Sequence, residues 1–405
     1  MPVAFPQLPE VLPVAGIRLA SVAAGIRYEG RDDLVLMELA AGSQCAAVFT
    51  RNAFCAAPVV VARQHLATQQ PRYMLINSGN ANAGTGDPGI QDAQQICTLL
   101  AEKAGCSAGQ VLPFSTGVIG ERLPAGRIEA VLDQALAGLS ADSWKAAAHA
   151  IMTTDTVAKK LSRSFATGSQ RFTLTGMVKG AGMIRPDMAT MLAFVACDAG
   201  VESGALQQCL NQAVERSFNR ITVDGDTSTN DACVLVATGA KGSDRIQSGT
   251  ADFETFCEAV SQICEDLAQL IVRDAEGGTK FVTVRIENGR DQEECLQVAY
   301  TIAHSPLVKT ALFASDPNWG RILAAVGRAG VESMDIEKIS IFLGDVCIVR
   351  NGSVAEDYRE QDGQRVMSQE EIVIRVQLGR GDAVEQVWTS DLSHDYVRIN
   401  AEYRT

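Results

Sequence analysis

The chain has 405 residues, a length that predicts about two or three domains at roughly 150 residues each. Hydrophobic residues make up 46% and charged residues 20%, which is enough for a sizeable core and argues against disorder. The formal net charge of -13 argues against nucleic acid and anionic membrane as partners, because both need a basic face. Residues 32–40, DDLVLMELA, alternate and predict a strand. Residues 72–89 predict a short apolar strand running into a Gly/Asn loop, and residues 90–105 a helix that stops at Gly105. PAGRIEAVLDQALAGL and SWKAAAHAIMTTD predict two further helices, and RFTLTGMVKGAG a strand and turn. Residues 191–197, MLAFVAC, form a continuous apolar run and predict a strand buried on both faces.

The second half repeats this mixture. Residues 205–220 predict a helix with Ser203 as its cap. DACVLVATG predicts a strand, and DFETFCEAVSQICEDLAQLIVRDAEGG a helix of about seven turns. KFVTVRIEN predicts a strand, while ISIFLGDVCIVRNG and EEIVIRVQLGRGDAVEQVWTSDL predict two hairpins. Strands with helices between them, then a strand-rich end, suggest mixed α/β layers. A soft boundary falls near 180–190.

No run reaches the roughly 18 apolar residues of a membrane helix, and the opening MPVAFPQLPEVLPVAG has neither a basic stretch nor a long apolar one. The 11 Cys are scattered through apolar stretches without CxxC spacing. They read as buried thiols in a reducing cytoplasm, and a zinc site lacks its ligand spacing. Of the four His, none falls in a catalytic or metal motif, so each reads as a surface or satisfied core residue. GTGDPG (84–89) matches GxGxxG after a strand and before a helix, as a dinucleotide site would. Six loop residues and Pro88 interrupt the fingerprint, no strand-end acid lies at the right distance, and a loop with a helix N-terminus explains it better.

Ala189-Thr190 stands at the mouth of the apolar run that begins at Met191. A Thr hydroxyl needs a base. The simplest base is its own α-amine, which has a pKa of about 7.7–8.0 once cleavage frees it. Thr190 would attack the Ala189 carbonyl, and hydrolysis of the ester would complete the cut. The dipeptide alone reads first as an ordinary loop-to-strand junction.

The wider motif KGAGMIRPDMATML resembles the self-cleavage signature of the ornithine acetyltransferase family, the glutamate N-acetyltransferases of arginine biosynthesis. NSGNANAGTG, PFSTGVIGE, IMTTDT, TVDGDTSTND, SDPNWGRI and YVRINAEYRT resemble the family in the same order, over essentially the whole chain. The resemblance implies an α/β fold with sheets sandwiched between helix layers and an N-terminal Thr nucleophile. It implies self-cleavage into residues 1–189 (α chain) and 190–405 (β chain), assembled as two of each. Thr190 matches the family nucleophile, and Thr116 and Gly117 its oxyanion hole. Thr153, Lys179, Thr190, Glu276, Asn400 and Thr405 match its substrate contacts.

The implied reaction is ping-pong. Thr190 takes the acetyl group from N-acetylornithine as an ester, and glutamate then accepts it in the same pocket. No metal or bound cofactor is implied. Some family members also accept acetyl-CoA, and nothing in the sequence separates those subgroups. A related self-processed amidase or aminopeptidase would differ only in using water as acceptor. An uncleaved amino-acid-binding protein is the rival from another class. The protein is expected in the cytoplasm.

Overall fold

A computed structural model describes residues 2–185, 191–242 and 244–402. Its strands form three sheets. The first runs in the order Ile17–Val22, Leu34–Leu39, Tyr73–Asn80, Val111–Val118, with only the last pair parallel. The second runs Gln44–Phe49, Ala232–Ala237, Leu192–Cys197, Gln170–Lys179, Lys159–Thr167, with only Ala232–Ala237 and Leu192–Cys197 parallel. These two sheets stack face to face. Met37, Met74 and Phe114 of the first share a buried cluster with Phe194 and Val234 of the second. The Phe114 and Phe194 rings meet edge-on at 5.1 Å.

Helices cover both outer faces. Leu36 and Leu75 pack against Ile96, Leu100, Ile128 and Leu132, which belong to helices Gly86–Ala104 and Ala125–Ala137. Leu174, Val195 and Leu235 pack against Leu210, Val260 and Leu267 of helices Ser203–Arg216 and Ala251–Arg273. The result is helix, sheet, sheet, helix: the α/β architecture expected, with sheets between helix layers. Leu192–Cys197 has strands on both edges and packed layers on both faces, so all six residues are buried. That is why its sequence shows no alternation.

The third sheet runs Ser353–Val354, Val346–Arg350, Ser340–Leu343, Glu371–Gln377, Phe281–Gly289, Ala383–Ser390, Ile221–Thr222. Val282, Val284 and Ile374 bury one face against helices Gln292–Ala303 and Trp319–Gly327. Glu371–Gln377 alternates in burial, as a strand covered on one side must.

Two expectations fail here. Residues 371–377 and 383–390 are not a hairpin, because Phe281–Gly289 lies between them. The connection closes on that intervening strand instead: Leu378 N–H donates to Glu287 O, and the Arg380 and Gly381 N–H groups donate to Asn288 O. Ser203 is not a cap. It is the first helical residue, Glu202 holds the cap position, and no side chain caps that end. The predicted hairpin of Ser340–Leu343 with Val346–Arg350 does form.

Among the described residues, no helix is long and apolar enough to cross a membrane. The 11 Cys are free, and eight are buried. Burial pushes the Cys45, Cys97 and Cys197 thiols up to about 12, so they stay protonated and inert.

Candidate active site

A cavity of about 260 Å³ opens where the two stacked sheets end. Thr116, Gly117, Thr153, Lys179, Glu276 and Asn400 all line it. They are far apart in sequence and arrive on five separate elements. Met191, the residue joined to Thr190, also lines it. Ala189, Thr190 and Thr405 lie outside the described residues.

Thr116 and Gly117 come near the end of Val111–Val118, paired in parallel with Tyr73–Asn80. The register shifts beside Gly79 and Gly117, where Asn80 faces both Thr116 and Val118. Gly117 has φ +137°, and a Cβ there would lie 2.2 Å from Gly79 C and 2.5 Å from Asn80 N. Only glycine allows the two backbones this approach. Lys179 ends the strand Gln170–Lys179, and its Nζ donates to Thr116 Oγ1 at 3.2 Å. A hydroxyl that accepts from an ammonium keeps its own proton for another partner. Thr116 is thus free to donate into the cavity.

Thr153 follows helix Trp144–Ala150, and its N–H donates to Asp155 Oδ2 at 3.1 Å. Glu276 follows the long helix Ala251–Arg273, and its N–H is bonded to Ala181 O at 2.9 Å. Gly182 leaves room for it: a Cβ there would lie 2.4 Å from the Glu276 carboxylate carbon. Asn400 sits on helix His394–Ala401 and donates to Glu276 Oε2 at 2.8 Å. That helix is fastened by Ser393 Oγ donating to Gly277 O at 2.6 Å and Tyr396 OH donating to Asp224 Oδ2 at 3.2 Å. The last described helix therefore folds back onto the cavity.

Two lining residues were assigned no role from sequence, although both sit in the quoted TVDGDTSTND. Asn230 Nδ2 donates to Ala81 O at 2.6 Å and Ser115 O at 2.9 Å, tying the start of Ala232–Ala237 to the end of the first sheet. Asp231 is 3% exposed, and its Oδ2 has no hydrogen-bond partner among the described residues. Burial pushes its carboxyl well above the usual carboxylate range, outweighing Ser228 and Lys179. The sequence signal was a polar pair directly before an apolar strand.

A raised folded-state pKa makes ionisation costly to the native state. The unfolded chain loses this proton in the ordinary carboxylate range, while the folded chain still holds it. Stability is therefore lost as pH rises above that range. Asp231→Asn removes the ionisation. We expect its melting temperature to exceed that of the wild type by about 2 °C at pH 8, with the gap closing toward pH 4. Melting curves at the two pH values check this, and a gap that widens at low pH would contradict it.

The rival features lie elsewhere. No His lines the cavity. His65 Nδ1 pairs with Val111 O at 2.8 Å, and His304 Nε2 with Thr222 Oγ1 at 3.0 Å. Burial, with Arg185, Lys309 and Arg328 nearby, pushes His304 down to about 4. In GTGDPG, Asn82 Nδ2 donates to Gly89 O at 2.9 Å, and a Cβ on Gly89 would lie 1.9 Å from Thr85 Oγ1. Those glycines pack a loop onto a helix start, and none lines the cavity. No group of three or more His, Cys, Asp or Glu suited to a metal occurs among the described residues.

Comparison with known proteins places this geometry in a family. The ArgJ family model matches residues 18–405. The chain is 55% identical over 406 residues to the arginine biosynthesis bifunctional protein ArgJ of Pseudomonas fluorescens (strain Pf0-1), covering 100% of both chains. It is 57% identical over 393 residues to the protein of that name from Methylococcus capsulatus, covering 97% of this chain and 96% of the other. A crystal structure of ornithine acetyltransferase complexed with ornithine, from Mycobacterium tuberculosis, is 36% identical, covers 45% of this chain and 96% of its own, and has a TM-score of 0.39. A family match over nearly the full length, together with end-to-end identity above half, makes this chain a member of the ArgJ family.

Proposed function

We propose that this chain is an acetyltransferase of arginine biosynthesis, moving the acetyl group of N2-acetyl-L-ornithine to L-glutamate through an ester on Thr190. The observation that carries the reading is the single cavity that gathers Thr116, Gly117, Thr153, Lys179, Glu276 and Asn400 beside Met191. The full-length identity to ArgJ proteins supports it.

The chain first cuts itself after Ala189, giving an α chain of residues 1–189 and a β chain of residues 190–405. The freed Thr190 amine then serves as base for its own hydroxyl. The hydroxyl adds to the acetyl carbonyl, and the Thr116 hydroxyl and Gly117 N–H stabilise the oxyanion. The amine returns the proton to the leaving ornithine nitrogen, which breaks the amide and leaves acetyl-Thr190. Glutamate enters, its neutral amine attacks the ester, the Thr190 amine carries the proton from that nitrogen to the departing Thr190 oxygen, and N-acetylglutamate leaves with the hydroxyl restored.

Lys179 holds the substrate carboxylate. Glu276 and Asn400 take the far end, where ornithine carries a cationic amine. Both substrates share the amino-acid backbone, so one pocket serves them in turn. The reaction needs no metal or bound cofactor. Acetyl-CoA serves as a second acetyl donor in the bifunctional version of this reading. The working form is two α and two β chains in the cytoplasm.

A denaturing gel with N-terminal sequencing, then acetyl transfer from acetylornithine and from acetyl-CoA, tests this. Fragments of about 20 and 23 kDa by length, the larger beginning Thr-Met-Leu-Ala, with transfer to glutamate, are expected. Acetate release without glutamate dependence would favour the amidase. An intact chain without transfer would overturn the reading.

A further inference from the structure

Three segments that bring substrate-contact residues to the cavity converge on one buried group of charges. Asp155, Lys159 and Asp274 have side chains 0–1% exposed. Lys159 Nζ donates to Asp155 Oδ1 at 2.6 Å and to Asp274 Oδ2 at 2.6 Å. Asp155 also accepts from Gly180 N–H at 2.7 Å and Thr153 N–H at 3.1 Å. Asp274 accepts from Thr156 N–H at 3.0 Å, from the Thr156 hydroxyl and from Val157 N–H.

Three members of the group lie within two residues of the cavity lining. Gly180 follows Lys179, Thr153 lines the cavity itself, and Asp274 stands two residues before Glu276. Asp155 and Lys159 precede Ala189-Thr190 in the chain, and Asp274 follows it.

Two carboxylates against one ammonium leave the group formally one charge negative. The nearby balancing charge is Lys179, which lies in the cavity. Burial works against Asp155 ionising, but Lys159 and Lys179 outweigh it and hold that carboxyl well below the usual range. Lys179 also lies near a second buried carboxyl, Asp231. Burial keeps that carboxyl protonated, so Asp155 is the charged one of the two.

Buried ion groups are weak devices for stability, since apolar side chains of similar volume often do as well. An apolar cluster could not place a fixed negative charge beside Lys179.

We propose that Asp155 is a positioning residue for substrate selection. Its carboxylate, anchored by Lys159 and Asp274 and bonded to the Gly180 N–H next to Lys179, holds Lys179 in place for the substrate carboxylate. This rests on the acetyl-transfer reading above, with Lys179 as the carboxylate's partner.

The test compares N-acetylornithine with N-acetylputrescine, which keeps the acetamide and distal amine and lacks only the α-carboxylate. The wild type should strongly prefer N-acetylornithine by kcat/KM. In Asp155→Asn this preference should fall about tenfold, chiefly through KM for N-acetylornithine, while N-acetylputrescine turnover changes little. Asp155→Glu, which keeps the charge, should restore most of the preference.

A general loosening of the fold would lower both substrates together and leave the ratio intact, and that result would overturn the proposal. So would a wild-type ratio near one. A wild type with no acetyl transfer at all would instead remove the underlying reading. Where Asp155→Asn fails to accumulate, the neutral triple variant Asp155→Asn, Lys159→Met, Asp274→Asn leaves no buried charge in the group. It carries the same expected fall in ratio.

Discussion

Thr190→Ala is expected to yield one uncut chain of 43.1 kDa with no acetyl transfer. The substitution removes one oxygen, and two reactions need it. In the proposed reaction the hydroxyl attacks the Ala189 carbonyl during the cut, and later it carries the acetyl group. Without the cut the α-amine stays in an amide, so the base for the reaction is lost together with the nucleophile. Loss of a nucleophile from a group that works as a unit costs on the order of a millionfold in turnover. Thr190→Ser keeps the hydroxyl and should still cut, though more slowly. Intact-mass measurement and the acetyl-transfer assay check both variants. A Thr190→Ala protein recovered as two fragments would remove Thr190 as the nucleophile of the cut.

Gly117→Ala is the second large effect. The added Cβ would meet Gly79 C at 2.2 Å and Asn80 N at 2.5 Å, and both are backbone atoms of a paired strand that cannot swing aside. Overpacking of this kind costs roughly 1–3 kcal/mol, and holding an alanine at this positive φ adds about 1–3 kcal/mol. The strands must part where Thr116 and Gly117 provide the proposed oxyanion donors. Displacing such a donor lowers kcat by about 100-fold or more. Gly25→Ala serves as the control: its φ is +65° and its Cβ would meet nothing within 4 Å, so it feels strain alone. Melting curves and kcat for the two variants separate strain from collision. Equal stability of the two would show that the close approach at Gly117 carries no weight.

How much of this was legible in the sequence depended on how each segment is buried. Leu192–Cys197 and Ala232–Ala237 are wholly buried, and their unbroken apolar runs read directly as strands. Lys159–Thr167 carries no such run. It is the edge strand of its sheet, with one neighbour, and KKLSRSFAT is accordingly mostly polar. The supposed second hairpin failed for a different reason. Residues 371–377 and 383–390 carry correct local signals, but a strand from some ninety residues earlier takes the place between them, and local pattern contains nothing of that partner.

The site divides in the same way. Thr116, Gly117, Lys179 and Glu276 were named through family motifs, and the structure brings them to one cavity. Asp155, Lys159 and Asp274 went unnoticed, because their chemistry rests on being buried together across more than a hundred residues of chain. Asp231 was invisible as an unusual acid until its burial was known.

In the second sheet, Ala232–Ala237 and Leu192–Cys197 are flanked by Gln44–Phe49 on one side and Gln170–Lys179 on the other. A cut after Ala189 leaves the middle of that sheet in one piece and both flanks in the other. Unfolding the cut protein then releases two molecules where the uncut chain releases one, so mass action enters its stability. Its melting temperature should rise more steeply with protein concentration than that of the Thr190→Ala precursor, which parts into fewer pieces. Dilution, which cannot part the two halves of a continuous chain, becomes a route to losing one half of that sheet in the cut one.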